Sequence, residues 1–365
     1  MSHQPEEFTM ESAIPSHLKC PRTLPTRTPE GFAPPFPATV ARFPAEAQQV
    51  VMAYIGFQHA PGTPPDTVAQ VQRWLTFAID GPHGPNHHEC ARYEDEAGFI
   101  NYVRIAYWDK PIEFETWFKL KGAAWTKEIY HDCITENLNE LGRFIEVLKP
   151  TMDRFEALYS SETLDGVGHL SEGLSGPTLE HFYWGAVRDR IAASQTDPLQ
   201  PGEAPRLLRN GLQAQVVPQD NLCLIRSGQD WTLADADERR LYSEDVEPIL
   251  RDGMVFLRDE GQAIGCHANR YMTLLNDDGE PVDKTFAMSW WRSLADLEHW
   301  AESHPTHVAI FGAALSYLQR LGPDAKLKLY HEVTVVTAEQ QYFEYFNCHQ
   351  RTGMLRVGLE TKVSV

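Results

Sequence analysis

Residues 285–300 read TFAMSWWRSLADLEHW, and residues 102–117 read YVRIAYWDKPIEFETW. Under one fixed shift of 183 positions, Trp291 falls on Trp108, Trp300 on Trp117 and Glu298 on Glu115. Trp290 falls on Tyr107 and Leu297 on Phe114 under the same shift. Each copy opens as an alternating, aromatic-rich run, the pattern of a strand, and continues with apolar residues at helical spacing. Pro111 stands where a first helical turn accepts proline. The unit is therefore a strand followed by a helix that packs back on it, used twice.

Working outward, QQVVMAYIGFQ (48–58) reads as a further strand. Residues 38–160 and 221–365 then fit two copies of a β-α-β-β-α-β-like unit, each an antiparallel sheet with helices on one face, in the α+β class. Residues 161–220 read as an irregular connection between the copies. Residues 1–37, ending in PEGFAPPFP, read as an extended surface arm.

A chain of 365 residues, 42% hydrophobic and with 9 Trp, can bury a large core with an apolar cavity. Its formal charge of −19 disfavours nucleic acid and anionic membrane as partners, because both select basic surfaces. Six scattered cysteines form neither a CxxC pair nor a CxxCH haem-attachment signature, which suits reduced thiols in a cytoplasmic protein. No apolar run reaches membrane-spanning length, and the first residues lack a signal-peptide pattern.

His83, His87 and His88 sit in a loop, GPHGPNHHEC, without the orderly ligand spacing of a zinc site. His299 and His304 read as surface or capping residues around a helix start at Ser303-His304-Pro305. On that helix His307, Phe311, Ala314 and Leu318 share one face, and Gly312, Ala313 and Ala314 make it thin. His331 lies in KLKLYHEVTVV, where alternation groups it with Leu329, Val333 and Val335, and sets Tyr330, Glu332 and Thr334 on the other face. From pattern alone each imidazole is either a hydrogen-bonded core histidine or a ligand or catalyst in a shared pocket.

AESHPTH (301–307) and KLKLYHEV (326–333) resemble the paired motifs that carry the proximal and distal histidines of haem-containing aldoxime dehydratases. MESAI..HLKCPRTL (10–24), PPFP (34–37), GVGHLSEGLSG (166–176), YWGAVRDR…SQTD (183–197), LIRSGQDW (224–231) and YFNCHQRTGMLR (345–356) agree in the same order. The likeness covers about residues 10–356 and is nearest to the aliphatic aldoxime dehydratases. Two departures touch no catalytic block: the residues before Met10, and a His307–His331 spacing a few residues longer than usual.

The resemblance implies a dimeric α/β-barrel of two ferredoxin-like repeats with helices packed outside, the second repeat carrying the haem ligand. It implies non-covalent haem b, active as ferrous iron, a homodimer, and the reaction R–CH=NOH → R–CN + H₂O on a small aldoxime. Position by position, His307 matches the proximal iron ligand and His331 the distal acid–base histidine. Ser227, on a strand face with Cys223 and Ile225, matches the serine that hydrogen-bonds the oxime hydroxyl. Arg190 matches the distal-side arginine, and Glu156 an acidic residue associated with activity. A histidine with an ordinary pKa near neutrality would suit proton transfer there. The rival readings are a peroxidase-like haem enzyme on a similar barrel and a non-catalytic haem binder.

Overall fold

The computed structural model describes residues 10–127 and 140–358. After β1 (Thr39–Arg42), the first half runs β2 (Val51–His59), α1 (Pro65–Ile79), β3 (His87–Glu94), β4 (Ile100–Trp108), α2 (Pro111–Trp117), α3 (Ala123–Trp125) and β5 (Gly142–Leu148). Its four long strands pair antiparallel in the order β3-β4-β2-β5. Next come β6 (Phe155–Tyr159), β7 (Gly173–Leu174), α4 (Ala186–Arg190), β8 (Arg206–Asn210) and β9 (Gln213–Val217). The second half runs β10 (Leu222–Asp230), α5 (Ala236–Leu241), α6 (Glu247–Asp259), β11 (Cys266–Leu275), β12 (Pro281–Trp291), α7 (Leu294–Ser303), α8 (Pro305–Leu321) and β13 (Lys328–Val336), before β14 (Gln341–Phe346). Its order, β11-β12-β10-β13, has the same connectivity as the first half.

The sequence repeat is a packing repeat. Trp108 on β4 meets Trp117 on α2 at 5.2 Å between ring centroids, and Trp291 on β12 meets Trp300 on α7 at 5.6 Å. In both halves the helix returns on its strand by burying the same indole pair. Outside the first half, Val71, Leu75 and Phe114 cover Val51 and Ile55. Outside the second, Leu250, Met254, Leu257 and Leu297 cover Cys223, Val333 and Val335.

The two sheets are one. Thr273, Leu274 and Leu275 of β11 pair with Arg92, Ala91 and Cys90 of β3, joining fourteen strands in the order β7-β1-β6-β13-β10-β12-β11-β3-β4-β2-β5-β14-β9-β8. The strands β1 and β6, within residues 38–160, add to the second half beside β13, whereas β14 adds to the first half beside β5. Residues 161–220 are less irregular than expected, because β8 and β9 form a hairpin. Nor are His87 and His88 loop residues: they start β3. The arm is bound rather than loose, since Ala13 and Ile14 are buried and Arg42 donates to the carbonyls of Ser12 and Ala13 at 2.7 Å.

The halves face each other, with Tyr54 of β2 set edge-on against Trp290 of β12. The face of β13 that carries Tyr330, Glu332 and Thr334 turns into this interior and is buried. Its charge is matched there. Tyr107 donates to Glu332 at 3.0 Å, Val167 N–H donates at 2.8 Å, and Arg226 donates to Tyr107 at 2.7 Å and to Glu89 at 2.5 Å. A second buried set joins Arg270, Glu146 and Tyr345.

Arg226 is wholly buried between two carboxylates, and removing one partner of such a set leaves the others uncompensated. Arg226→Leu is therefore expected to cost about 3–5 kcal/mol. Arg292→Ala, which breaks an exposed pair with Asp296, should cost under about 1 kcal/mol, and urea unfolding compares the two. Burial also holds His169, His267 and His331 at about 4, below the roughly 6.5 of an unfolded histidine. The unfolded chain then binds more protons between those values, so stability present above about pH 6.5 is lost as pH falls toward 4. Urea midpoints should fall across that window, and His267→Gln should make the fall shallower.

Candidate active site

The site is built on the outer face of the second half. In β10 and β13 successive side chains alternate between the interior and the helix-covered face. Their register sets Ser227 opposite His331 on the outer face and Arg226 opposite Glu332 on the inner one. Directly opposed residues have Cβ atoms about 4.5–5.5 Å apart, so one small ligand can touch both Ser227 and His331. Gly228 follows Ser227 because the Tyr330 ring of β13 lies where its Cβ would be.

On the next strand, β6, Leu158 pairs with His331 and Glu156 with Val333. Glu156 accepts two hydrogen bonds from Arg190, at 2.7 and 2.9 Å, and both side chains are at most 4% exposed. Arg190 also donates to the Glu180 carbonyl at 2.8 Å. Its neighbour Asp189 fixes α4 to the arm, accepting from the Arg27 and Thr28 backbone and hydroxyl and from Tyr183. The N-terminal arm thus sets where Arg190 stands.

His307 lies in the first turn of α8, and Pro305 opens that helix after His304, whose ring accepts from Thr306 N–H. The expected helix start and the capping role of His304 both hold. His307 Nδ1 is 2.7 Å from the Ala301 carbonyl, so Nδ1 carries the hydrogen and Nε2 keeps its lone pair. Trp300 and Trp184 flank the ring edge-on at 4.6 and 5.9 Å. Burial holds His307 at about 4, hence neutral at pH 7. His331 is neutral too: burial, then the Arg190 charge, then His307, hold it at about 4 rather than near neutrality.

Register joins Ser227 to His331, an ion pair joins Glu156 to Arg190, and Arg190 and His307 both act electrostatically on His331, but these residues do not form a site for a bare metal ion. Among the described residues there is no cluster of three or more His, Cys, Asp and Glu suited to one. A lone neutral imidazole suits a metal that brings its own equatorial ligands, as haem iron does. The helix agrees: α8 is apolar along most of its length, yet only Tyr317 is buried. Phe311, Ala314 and Leu318 on the His307 face remain part-exposed. Gly312 faces open space, so nothing in the chain itself requires glycine there. Apolar surface beside one free imidazole nitrogen fits a flat apolar macrocycle. The His83–His88 region does not compete, since His83 pairs with Glu113 and His88 with Asp80, while His87 stacks on His169.

Pattern reading missed three supporting groups. Gln229 follows Ser227 by two residues on the same strand face, a phase that alternation could have shown. Trp184 and Trp300 reach His307 from separate segments, and no sequence period joins them.

The model of the haem-containing dehydratase family matches residues 53–354. The chain is 42% identical over 354 residues to an aliphatic aldoxime dehydratase of Pseudomonas chlororaphis, covering 95% of this chain and 98% of that one. It is 34% identical to a phenylacetaldoxime dehydratase of Bacillus sp. (strain OxB-1), covering 90% and 93%. Among solved structures, an aldoxime dehydratase superposes with a TM-score of 0.89 at 41% identity, covering 96% of this chain and 99% of that one. Another, in complex with butyraldoxime, gives 0.88 at 40% identity, covering 96% and 97%. With a free imidazole on an apolar helix and a match across most of its length, the chain belongs to the family of haem-containing dehydratases.

Proposed function

We propose that this protein dehydrates aldoximes to nitriles, with His307 as the residue that would hold the haem iron and Ser227 and His331 acting on the substrate. The observation that carries the reading is the Ser227–His331 rung on the sheet face toward which His307 is carried by α8. Two relatives named for aliphatic and phenylacetaldoxime substrates, and one solved with butyraldoxime, support the substrate class.

His307 would hold haem b through Nε2, with Ala301 fixing the ring's tautomer. When bound as ferrous haem, the iron supplies a ligand position for the oxime nitrogen and electron density that weakens the N–O bond. The protein's own part is proton transfer. Ser227 donates its hydroxyl hydrogen to the oxime oxygen and orients it. His331, neutral at rest, accepts the proton lost from the oxime carbon and delivers it to the departing oxygen. The C–H and N–O bonds break, the C≡N bond completes, and oxygen leaves as water, so the cycle takes no net proton from solvent. Arg190, clamped by Glu156, keeps positive charge near that oxygen and disfavours a resting imidazolium.

The two β-α-β-β-α-β halves read as ferredoxin-like repeats of a dimeric α/β-barrel, supported by their shared strand order and matching indole pairs. A cytoplasmic homodimer is the setting we infer. No helix among the described residues is long and apolar enough to cross a membrane.

Haem-loaded, dithionite-reduced protein should convert butyraldoxime or phenylacetaldoxime to the nitrile, measured by gas chromatography. Peroxidase turnover with no nitrile would reject the reading. His331→Ala should keep the haem absorption spectrum and lower kcat by roughly 10²–10⁴-fold. His307→Ala should lose the haem. A fully active His331→Ala enzyme would remove the proton-transfer assignment.

A further inference from the structure

The Ser227 hydroxyl has to point its single hydrogen at the substrate, and a serine on an open strand face has no reason to hold that rotamer. Among the described residues one protein group lies within hydrogen-bond reach of Ser227 Oγ: the side-chain amide nitrogen of Gln229, at 3.5 Å. The same nitrogen donates to the Ser227 carbonyl at 3.1 Å, so the amide is anchored beside the serine. An amide can present either its oxygen or its nitrogen, and the wrong choice would draw the serine hydrogen away from the oxime. The Ser227 carbonyl can only accept, so it draws the nitrogen to this side, and the neighbouring strand satisfies the oxygen. Thr285 of β12, directly opposite Gln229 in the β10–β12 register, donates to Gln229 Oε1 at 3.1 Å. Tyr271 of β11 points its hydroxyl at Thr285 Oγ1 at 3.0 Å, and at Glu247 of α6 at 3.4 Å. With the Gln229 nitrogen taken by the Ser227 carbonyl, Oε1 faces Thr285 and can only accept, so the Thr285 hydrogen goes to it.

Gln229 and Thr285 are each 5% exposed, so water does not readily satisfy either in place of the other. The direction of donation is consistent along the row: tyrosine to threonine, threonine to amide oxygen, amide nitrogen to serine oxygen. Ser227 is left as an acceptor toward the protein with its hydrogen unused.

We propose that Gln229, oriented by Thr285 and Tyr271, is a positioning residue that holds the Ser227 hydroxyl with its hydrogen free for the oxime. This rests on the assignment of Ser227 made above, and the experiment separates the two. Thr285→Val keeps the shape and deletes the donor to the amide oxygen, leaving the amide held only through its nitrogen. In holoenzyme it should lower kcat for butyraldoxime roughly 3- to 10-fold, the worth of one ordinary hydrogen bond, with KM within about twofold. Thr285→Ser, which restores the hydroxyl, should recover most of that loss. In a Ser227→Ala background Thr285→Val should have no further effect, because residues acting through one group are not additive. Losses that multiply in the double variant would overturn the proposal, since Thr285 would then act elsewhere. An unchanged kcat in Thr285→Val would overturn it as well. Should Ser227→Ala alone keep full activity, the Ser227 assignment fails and this inference with it. If Thr285→Val loads haem poorly, Gln229→Leu carries the same cycle, with the same outcomes deciding.

Discussion

The antiparallel register of β10 and β13 is the constraint on which the molecule depends. Strand side chains have a period of two, so a slip of one residue would turn the outer face inward and the inner face outward. Ser227 and His331 occupy one rung toward the helices, and Arg226 and Glu332 the adjacent rung toward the interior. The inner rung holds two charged groups, closed by Tyr107 and Glu89 from the other half of the sheet. A slipped register would expose those charges to the helix-packing face and leave Glu89 and Tyr107 unpartnered. The buried ion network thereby makes the pairing of Ser227 with His331 unique.

Above that rung the fold supplies groups from separate places. α8 brings His307, fixed by the Ala301 carbonyl between two indoles, while α4 brings Arg190, held by Glu156 and by the arm through Asp189. Low dielectric acts on all of them. It holds both imidazoles toward the neutral form, and the Ala301 carbonyl leaves the lone pair of His307 on Nε2. A histidine at its ordinary value would be partly protonated near neutral pH and repelled by Arg190. The site avoids that conflict by burial.

Much was legible in the residues themselves. The 183-position repeat identified the strand-helix unit, because burying an indole pair is costly to replace and so leaves the same residue types at the same spacing. Alternation put His331 with Val333 and Val335, and Ser227 with Ile225; helical spacing put His307 with Phe311. Local periodicity failed where a chain segment serves two faces. Alternation put Glu332 on the face opposite His331 but could not name its neighbours, which come from β4 and β10, 225 and 106 residues away in sequence. The hairpin at 206–217 was hidden because β8, the exposed edge strand of the sheet, carries no apolar alternation.

The sequence by itself determined the α+β repeat, the apolar helix bearing His307, the alternating strands bearing Ser227 and His331, and, through motif likeness, a haem-containing dehydratase. Those properties depend on residues within one or two turns of each other or within one strand. Only the tertiary structure decided that Ser227 and His331 share a rung, that Arg190 is locked to Glu156, and that both histidines are neutral. It alone revealed Gln229 and Thr285 behind the serine. Register, burial and hydrogen-bond direction arise between segments brought together by the folded sheet, and no pattern along a single stretch of chain records them.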